Sequence, residues 1–265
     1  SEYSSLTVLN DGSIAAFVEV GKHVDANDIG MRQTFFNFSL DWLLQGYDLD
    51  NTVLEFDGTR YMTIPDHDDF DIASNESFTV SAKFRYNALT ENSNQRIIAK
   101  RNYGVLTQPG YELWGGNSTT QILAVNSPNA SNNHNNSLSV WSTKTGVAGE
   151  WYHVALVIDR TNNVMTLYHN GEAVASSSGK DLSQWSCVTD YDVYVGALLN
   201  GSNVDYKMNG AVDDLRFYGR ALSASDVATD MNSSMPLENA LAAYDFEMMS
   251  GYSVPDITGN GHTGT

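Results

Sequence analysis

The sequence has little of what several protein classes require. Its single cysteine, Cys187, cannot close an intrachain disulfide, and Cys and His do not occur at the spacing of a structural zinc site. Basic residues are scarce: 14 Lys and Arg face 32 Asp and Glu, a net charge of -18 that repels a nucleic-acid backbone. No apolar run approaches the roughly 18 to 20 residues of a membrane span. We therefore expect no nucleic-acid partner and no membrane span.

Most of the chain alternates apolar and polar residues in short runs, with Gly, Asn, Asp and Ser between them. A period of two is typical of half-buried strands, so the sequence predicts an all-β protein. The runs lie at 5–9, 13–20, 32–40, 78–86, 151–158, 164–169, 193–196 and 211–218. Asn170-Gly171 predicts a hairpin turn, and Ser223 with Asp226 predicts a capping box at the start of one short helix.

Six motifs follow one another in order after residue 52, at 53–58, 61–65, 78–84, 151–155, 167–171 and 210–223. The two most specific are Trp-Tyr-His-Val-Ala at 151–155 and Leu-Tyr-His-Asn-Gly at 167–171. Together they resemble the laminin-G-like, concanavalin A-like jelly-roll lectin family. The resemblance implies a jelly-roll sandwich over residues 47–265.

One motif of this family is displaced. The run Asp-Ile-Thr-Gly-Asn-Gly-His-Thr-Gly at 256–264 resembles a loop that in the family usually precedes the first of the six motifs. Either residues 239–265 supply a permuted first strand to this jelly roll, or they begin a second domain. We favour permutation, because an orphan first strand would expose an unpaired apolar edge.

The first 46 residues carry a different pattern: a strand at 3–9, an Asn-Asp-Gly turn at 10–12, an aromatic and acidic strand at 17–20, and Leu-Asp-Trp-Leu at 40–43. This order resembles the last blade of the β-propeller of bacterial exo-sialidases. In that family the tyrosine that opens the segment is the catalytic nucleophile, a role that maps onto Tyr3. A phenol needs a neighbouring carboxylate to take its proton before it can attack.

The other catalytic groups of that family, three arginines and two carboxylates, have no assignable counterpart in this chain. The resemblance therefore implies that residues 1–46 are a remnant of a propeller blade, partnered by an upstream propeller. It implies the C-terminal part of a secreted, periplasmic or cell-surface exo-sialidase, and we expect this part alone not to hydrolyse sialosides. The alternative is a non-catalytic adhesion or scaffold domain.

The loop at 256–264 combines a carboxylate, an amide and glycines that leave backbone carbonyls accessible, and such hard oxygen ligands suit calcium. In the resembling family, loops of this kind often hold a structural calcium. The expected ligands are Asp256, Asn260, the His262 carbonyl, Asp213 and Asp214. The alternative is an Asx-turn loop without metal. The acidic run at 66–71 is more typical of a solvated turn than of a metal site.

Sugar binding requires an aromatic ring that stacks on the sugar, with amides or guanidinium groups beside it. The candidate rings are Tyr111, Trp114, Trp141 and Trp185, and the candidate polar neighbours are Arg85, Arg96 and Asn117. Trp114 is the leading candidate, because the glycines after it predict a strand end beside a loop. Trp151 is assigned to the core, since motif 151–155 is the structural spine of the family. The expected ligands are sialylated or galactosylated glycans, and the acidic net charge favours the neutral galactosyl part.

Overall fold

The computed structural model describes the backbone of three N-terminal strands and, beyond them, residues 52–88, 94–105, 109–116, 121–122, 139–140, 142, 146–177, 181–183 and 185–265. The chain divides into two compact units, Ser1–Asn51 and Thr52–Thr265. No helix in these ranges is both long and apolar enough to cross a membrane.

The N-terminal unit contains one antiparallel sheet of three strands in chain order: β1 (Ser4–Val8), β2 (Ile14–Gly21) and β3 (Met31–Phe38). The alternation in the sequence predicts all three, and the register pairs Ser5 with Phe17 and Phe17 with Phe35. Tyr3, the predicted nucleophile, lies outside the described residues. The assignment of this sheet to a propeller blade stays a prediction.

The second unit is a sandwich of strands. They are β4 (Leu54–Asp57), β5 (Met62–Ile64), β6 (Phe78–Tyr86), β7 (Gln95–Lys100), β8 (Tyr111–Gly116), β9 (Gln121–Ile122), β10 (Trp151–Asp159), β11 (Val164–His169), β12 (Glu172–Ser176), β13 (Val193–Val195), β14 (Leu198–Asn200), β15 (Asn203–Asp205), β16 (Asn209–Tyr218) and β17 (Ala240–Tyr244). A 3-10 turn spans Asp68–Phe70, and helix α1 spans Ala224–Asn232.

Two sheets make up the layers of the sandwich. The larger has the strand order β12-β11-β10-β6-β16-β17, with β4 also paired to β16, and the smaller has the order β5-β13-β7-β8-β9. One hydrophobic cluster takes inward side chains from both sheets, among them Phe84, Leu156 and Phe217 from the larger and Ile98 and Val195 from the smaller. The predicted all-β sandwich is confirmed.

Helix α1 lies on the outer face of the larger sheet. Its start is the predicted capping box: Ser223 Oγ accepts from the Asp226 amide at 3.1 Å, and the Asp226 carboxylate accepts from the Ser223 amide at 3.1 Å. Val227 packs with Ala155 and Tyr218 in a second, smaller cluster. The helix therefore covers one end of that face and leaves the other end open.

The tail after α1 joins the same sandwich. Strand β17 pairs antiparallel with β16, and Thr265 exchanges two backbone hydrogen bonds of 2.8 Å with Thr63 of β5. Between them, Ser250 bonds to Ser253 and Val254 to Gly264. Residues in the range 239–265 thus pair with strands of both sheets of this sandwich, as the permuted arrangement predicts, and the permutation itself stays a prediction.

Candidate functional site

A row of polar and aromatic side chains crosses the open end of the larger sheet. The register places Trp151 of β10 opposite Arg85 of β6, Arg85 opposite Ala211 of β16, and Ala211 opposite Glu55 of β4. Because side chains alternate along a strand, these four point away from the core that contains Phe84. We call Glu55, Arg85 and Trp151 the Trp151 row.

The Trp151 row presents an aromatic surface with two charged neighbours. The indole of Trp151 is 40% exposed, and the Arg85 Cζ lies 5.3 Å from the ring centroid, a cation–π contact. The same guanidinium reaches over Ala211 and forms an ion pair with the Glu55 carboxylate. Small Ala211 leaves room for this bridge. The row therefore offers a ring face, donors and acceptors side by side without net charge.

The position of Trp151 corrects its assignment to the core. The motif at 151–155 does supply core residues, since Val154 is fully buried. Trp151, however, lies on the opposite face of the strand, together with His153. The alternation of side chains along a strand predicts this position: Trp151 and Val154 are an odd number of residues apart, so they lie on opposite faces of the sheet.

Two of the predicted sugar-stacking rings belong to the core instead. Tyr111 is fully buried, its hydroxyl donates to the Phe70 carbonyl at 3.1 Å, and burial raises its pKa well above the usual range. Trp185 is 4% exposed, and the Arg160 guanidinium lies 5.1 Å from its ring centroid. Neither ring has a face open to a sugar.

Trp114, the leading candidate ring, lies beside Arg96, one of the candidate polar neighbours. The Arg96 Cζ is 5.0 Å from the Trp114 ring and 4.5 Å from the Tyr206 ring, and Arg96 Nε donates to Glu112 at 2.9 Å. Arg96 is only 4% exposed. This guanidinium is held between two rings and a buried carboxylate, so it stabilises the smaller sheet and does not face solvent. Trp141 and Asn117 lie outside the described residues.

The Asp256 carboxylate is the hydrogen-bond centre of the loop at 256–264. Its Oδ1 accepts from the amides of Ala243 and Thr258, both at 3.0 Å, and its Oδ2 accepts from the His262 amide at 3.3 Å. Asn260 Nδ2 donates to the Leu241 carbonyl at 2.9 Å. The bonds of the Asx-turn alternative are thus present, and they fix the loop to β17.

The remaining predicted calcium ligands have other partners. The Tyr244 hydroxyl donates to the His262 carbonyl at 2.5 Å. Asp214 forms ion pairs with Lys83 at 2.7 Å and with Arg216 at 2.8 Å, while Asp213 is buried and accepts from the Asp214 amide. Two cations already neutralise Asp214, so it does not fit a calcium shell.

Comparisons with known proteins identify the fold. The sequence model of the concanavalin A-like lectin/glucanases superfamily matches residues 56–228, more than half of the chain. No protein of curated function matches the chain in sequence.

Three solved structures are similar in fold. One is a candidate carbohydrate-binding protein from Bacteroides ovatus, at a TM-score of 0.58 and 17% identity over 96% of this chain and 66% of that one. The second is a heptameric SAP-like pentraxin from Limulus polyphemus, at 0.50 and 18% over 72% and 85%. The third is the CBM40 of a Ruminococcus gnavus IT-sialidase bound to α2,3-sialyllactose, at 0.50 and 16% over 68% and 98%. Identities this low establish the shared fold only.

Proposed function

The chain belongs to the concanavalin A-like lectin/glucanase superfamily, and we propose that it is a carbohydrate-binding module whose ligand stacks on the Trp151 row. The observation that carries the proposal is the exposed Trp151 ring with the Arg85–Glu55 pair beside it. An aromatic face satisfies the apolar side of a sugar ring, and paired donors and acceptors satisfy its hydroxyls.

The charge of the row favours a neutral sugar. Glu55 neutralises Arg85, so the guanidinium is not available as the sole partner of a sialate carboxylate. The net charge of -18 also disfavours an anionic ligand. Of the two ligand classes expected from the sequence, galactosylated glycans therefore fit better than the sialic acid itself.

The structural relatives are consistent with this proposal. The Ruminococcus gnavus CBM40 binds sialyllactose, a sialylated lactose, and the Bacteroides ovatus protein is described as a carbohydrate-binding candidate. These ligands are properties of those proteins. They are relevant here because other proteins with this sandwich fold bind sugars.

We further propose that the chain is the C-terminal part of a secreted, periplasmic or cell-surface exo-sialidase, with Tyr3 as the nucleophile of the whole enzyme. Support comes from the order of motifs in residues 3–43 and from the antiparallel order β1-β2-β3. The test is sialoside hydrolysis by the chain extended with its upstream propeller, with and without Tyr3→Phe. Activity lost in Tyr3→Phe supports the proposal, and full activity in that variant contradicts it.

A structural calcium at the loop 256–264 is also part of the proposal, now without Asp214. Its support is that Asp256, Asn260 and the His262 carbonyl all lie on one short loop, since carboxylate and carbonyl oxygens can accept a cation beside a hydrogen bond. The ion would reinforce the contact of this loop with β17.

The experiment that tests carbohydrate binding is a glycan array probed with the chain in calcium and in EDTA. Trp151→Ala is the test variant, and Tyr61→Ala is its control. Tyr61 is also 40% exposed, and Lys207 Nζ lies 5.5 Å from its ring centroid, but it lies beside β5 of the smaller sheet. A third variant, Trp114→Ala, examines the ring that the sequence favoured.

We expect binding to galactosylated glycans that Trp151→Ala abolishes and Tyr61→Ala retains. Binding lost in Tyr61→Ala or Trp114→Ala, but kept in Trp151→Ala, would place the ligand on the smaller sheet and refute the Trp151 row. A blank array with a folded protein would overturn the carbohydrate-binding function. A blank array would instead favour a jelly roll that braces the upstream propeller of the same enzyme without binding glycan.

A further inference from the structure

Two histidines and an aspartate from opposite ends of the sandwich sequence meet on its surface. His67, Asp69 and His262 each offer one ligand atom, and these atoms all lie within 4.8 Å of one another. Across the part of the chain that the structure describes, this is the one such group of three His, Cys, Asp or Glu. Asp69 and His262 are 193 residues apart in sequence.

The distances within this group are close to those of a shared metal ligand shell. His67 Nδ1 lies 3.4 Å from Asp69 Oδ2, and two ligands about 2.0 Å from one tetrahedral ion are roughly 3.3 Å apart. His262 Nε2 lies 2.7 Å from the same Oδ2, so this pair must open by about half an ångström. The two imidazole rings are 4.6 Å apart between centroids and inclined at 65°.

The surrounding structure fixes the segment that carries His67 and Asp69. Lys100, fully buried, donates from Nζ to Asp66 at 2.7 Å and to Asp71 at 2.6 Å, one on each side of the turn. Both carboxylates are thereby bound to the same cation, and we leave them out of the ligand set. The turn is solvent-exposed, as its acidic sequence suggests, and Lys100 fixes it at both ends.

His262 is fixed equally well from the other side. Its side chain is 7% exposed, its ring packs edge-on against Phe70 at 4.8 Å, and its carbonyl accepts from Tyr244. His67, in contrast, has a side chain that is 54% exposed and is free to adjust. Two fixed ligands and one adjustable ligand suit a site that closes around an incoming ion.

We propose that His67, Asp69 and His262 bind a divalent transition-metal ion of the zinc class, with water completing the shell. Imidazole nitrogens with one carboxylate select zinc-class ions, whereas calcium takes oxygen ligands. The ion joins the turn after β5 to the C-terminal loop. This site is separate from the sugar surface of the Trp151 row.

Metal binding replaces hydrogen bonds that the three side chains form in its absence. A neutral His262 that donates from Nε2 to Asp69 Oδ2 must move this proton to its Nδ1 through solvent, which leaves Nε2 and Oδ2 for the metal. His67 Nδ1 accepts from the Asp69 amide at 3.1 Å, and the lone pair used in this bond is the one that the metal would take. That amide is exposed, so water replaces the lost bond.

The test is calorimetric titration of the EDTA-stripped full chain with ZnCl2, in excess CaCl2 so that any calcium site is filled. The variants His67→Gln and Asp69→Asn each remove one ligand. Asp68→Asn is the matched control, because it removes the same charge from the same turn and leaves the three ligands in place. The melting temperature of each metal-free variant establishes that it is folded.

We expect one zinc ion per chain and an affinity at least about tenfold weaker in both ligand variants. Asp68→Asn should bind as the unmodified chain does. Zinc at about one hundred times the Kd of the unmodified chain should raise the melting temperature by about 5 °C in that chain and in Asp68→Asn, and by about half as much or less in the two ligand variants. Cobalt(II) should give the strong visible absorption of tetrahedral coordination, lost in His67→Gln.

Three outcomes would overturn the proposal. They are the absence of saturable zinc binding, an unchanged affinity in both ligand variants, and an equal loss in Asp68→Asn, which would mean that acidic charge alone attracts the ion. The zinc test does not depend on whether the chain binds glycan, because no residue of the Trp151 row is among the metal ligands.

Discussion

Arg216 of β16 ties helix α1 to the larger sheet by reaching Asp230 at the end of the helix. Its guanidinium donates to the Asp230 carbonyl at 2.7 Å and to the carboxylate Oδ1 at 3.1 Å. Both side chains are almost completely buried, and Ser81 Oγ donates to the same carboxylate at 2.6 Å. A buried ion pair of this kind contributes little compared with an apolar pair, but it is costly to break.

Arg216→Met should destabilise the protein by about 3–5 kcal/mol, because it leaves the Asp230 carboxylate buried without its cation. Urea unfolding measures the loss. Arg220→Met is the matched control, since Arg220 pairs with Asp226 at the helix start, where both side chains are about 40% exposed. That substitution should cost about 0–1 kcal/mol. Equal losses in the two variants would mean that Arg216 contributes no more than an exposed pair.

The stability of the protein should fall in acid partly through Asp230. Burial alone would raise the pKa of this carboxyl, but hydrogen bonds from His153 and Ser81 and the charge of Arg216 lower it well below its usual range. The unfolded state therefore binds the proton first, and the contribution is complete above about pH 4 and lost as the pH falls towards the folded-state pKa. Unfolding free energies between about pH 6 and about pH 3 should decline less steeply in Asp230→Asn. An equally steep decline in the unmodified chain and in Asp230→Asn would contradict the contribution of Asp230 to the acid sensitivity.

Local sequence patterns predict much of the fold. The predicted runs 78–86 and 164–169 have the bounds of β6 and β11. The hairpin turn is confirmed, with φ of 49° at Asn170 and 77° at Gly171. Such features depend on neighbours in sequence, where alternation and turn chemistry act directly.

The candidate sites were less predictable, because they depend on contacts between distant strands. Arg85 meets Trp151 only through the pairing of β6 with β10, and a family motif had assigned the indole to the core. His67 and His262 are brought together by the fold of the tail, and no spacing in the sequence indicates it. Tyr111 cannot stack on a sugar, because its strand places the ring in the core.

Removal of residues 239–265 should prevent the sandwich from folding. The deletion takes away β17 and the buried side chains of Tyr244, Phe246 and Val254, about 5 kcal/mol of apolar burial or more. Circular dichroism should show no cooperative melting transition. The milder Tyr244→Phe, which removes only the bond to the His262 carbonyl, should cost about 1–3 kcal/mol. A truncated chain with an unchanged melting temperature would rule out the permuted first strand.

Calcium should bind EDTA-stripped protein with measurable heat and raise its melting temperature if the loop 256–264 holds the ion. Asp256→Asn is the test variant, and it should abolish the heat. Asp214→Asn should bind calcium as the unmodified chain does, since its carboxylate is paired with Lys83 and Arg216. No heat and no shift in the unmodified chain would leave the hydrogen-bonded Asx turn as the complete description of the loop.

The pairing of Thr63 with Thr265 bears on how the protein is made. These partners are 202 residues apart, so the edge of the smaller sheet stays open during synthesis until residues 239–265 have left the ribosome. Closing so long a loop is entropically unfavourable, and proteins rich in such distant contacts fold slowly. During that interval β5 and β16 expose backbone groups that pair with any available strand. The pairing of Thr265 with Thr63 therefore forms late, and it closes the edge of β5 against pairing with another molecule.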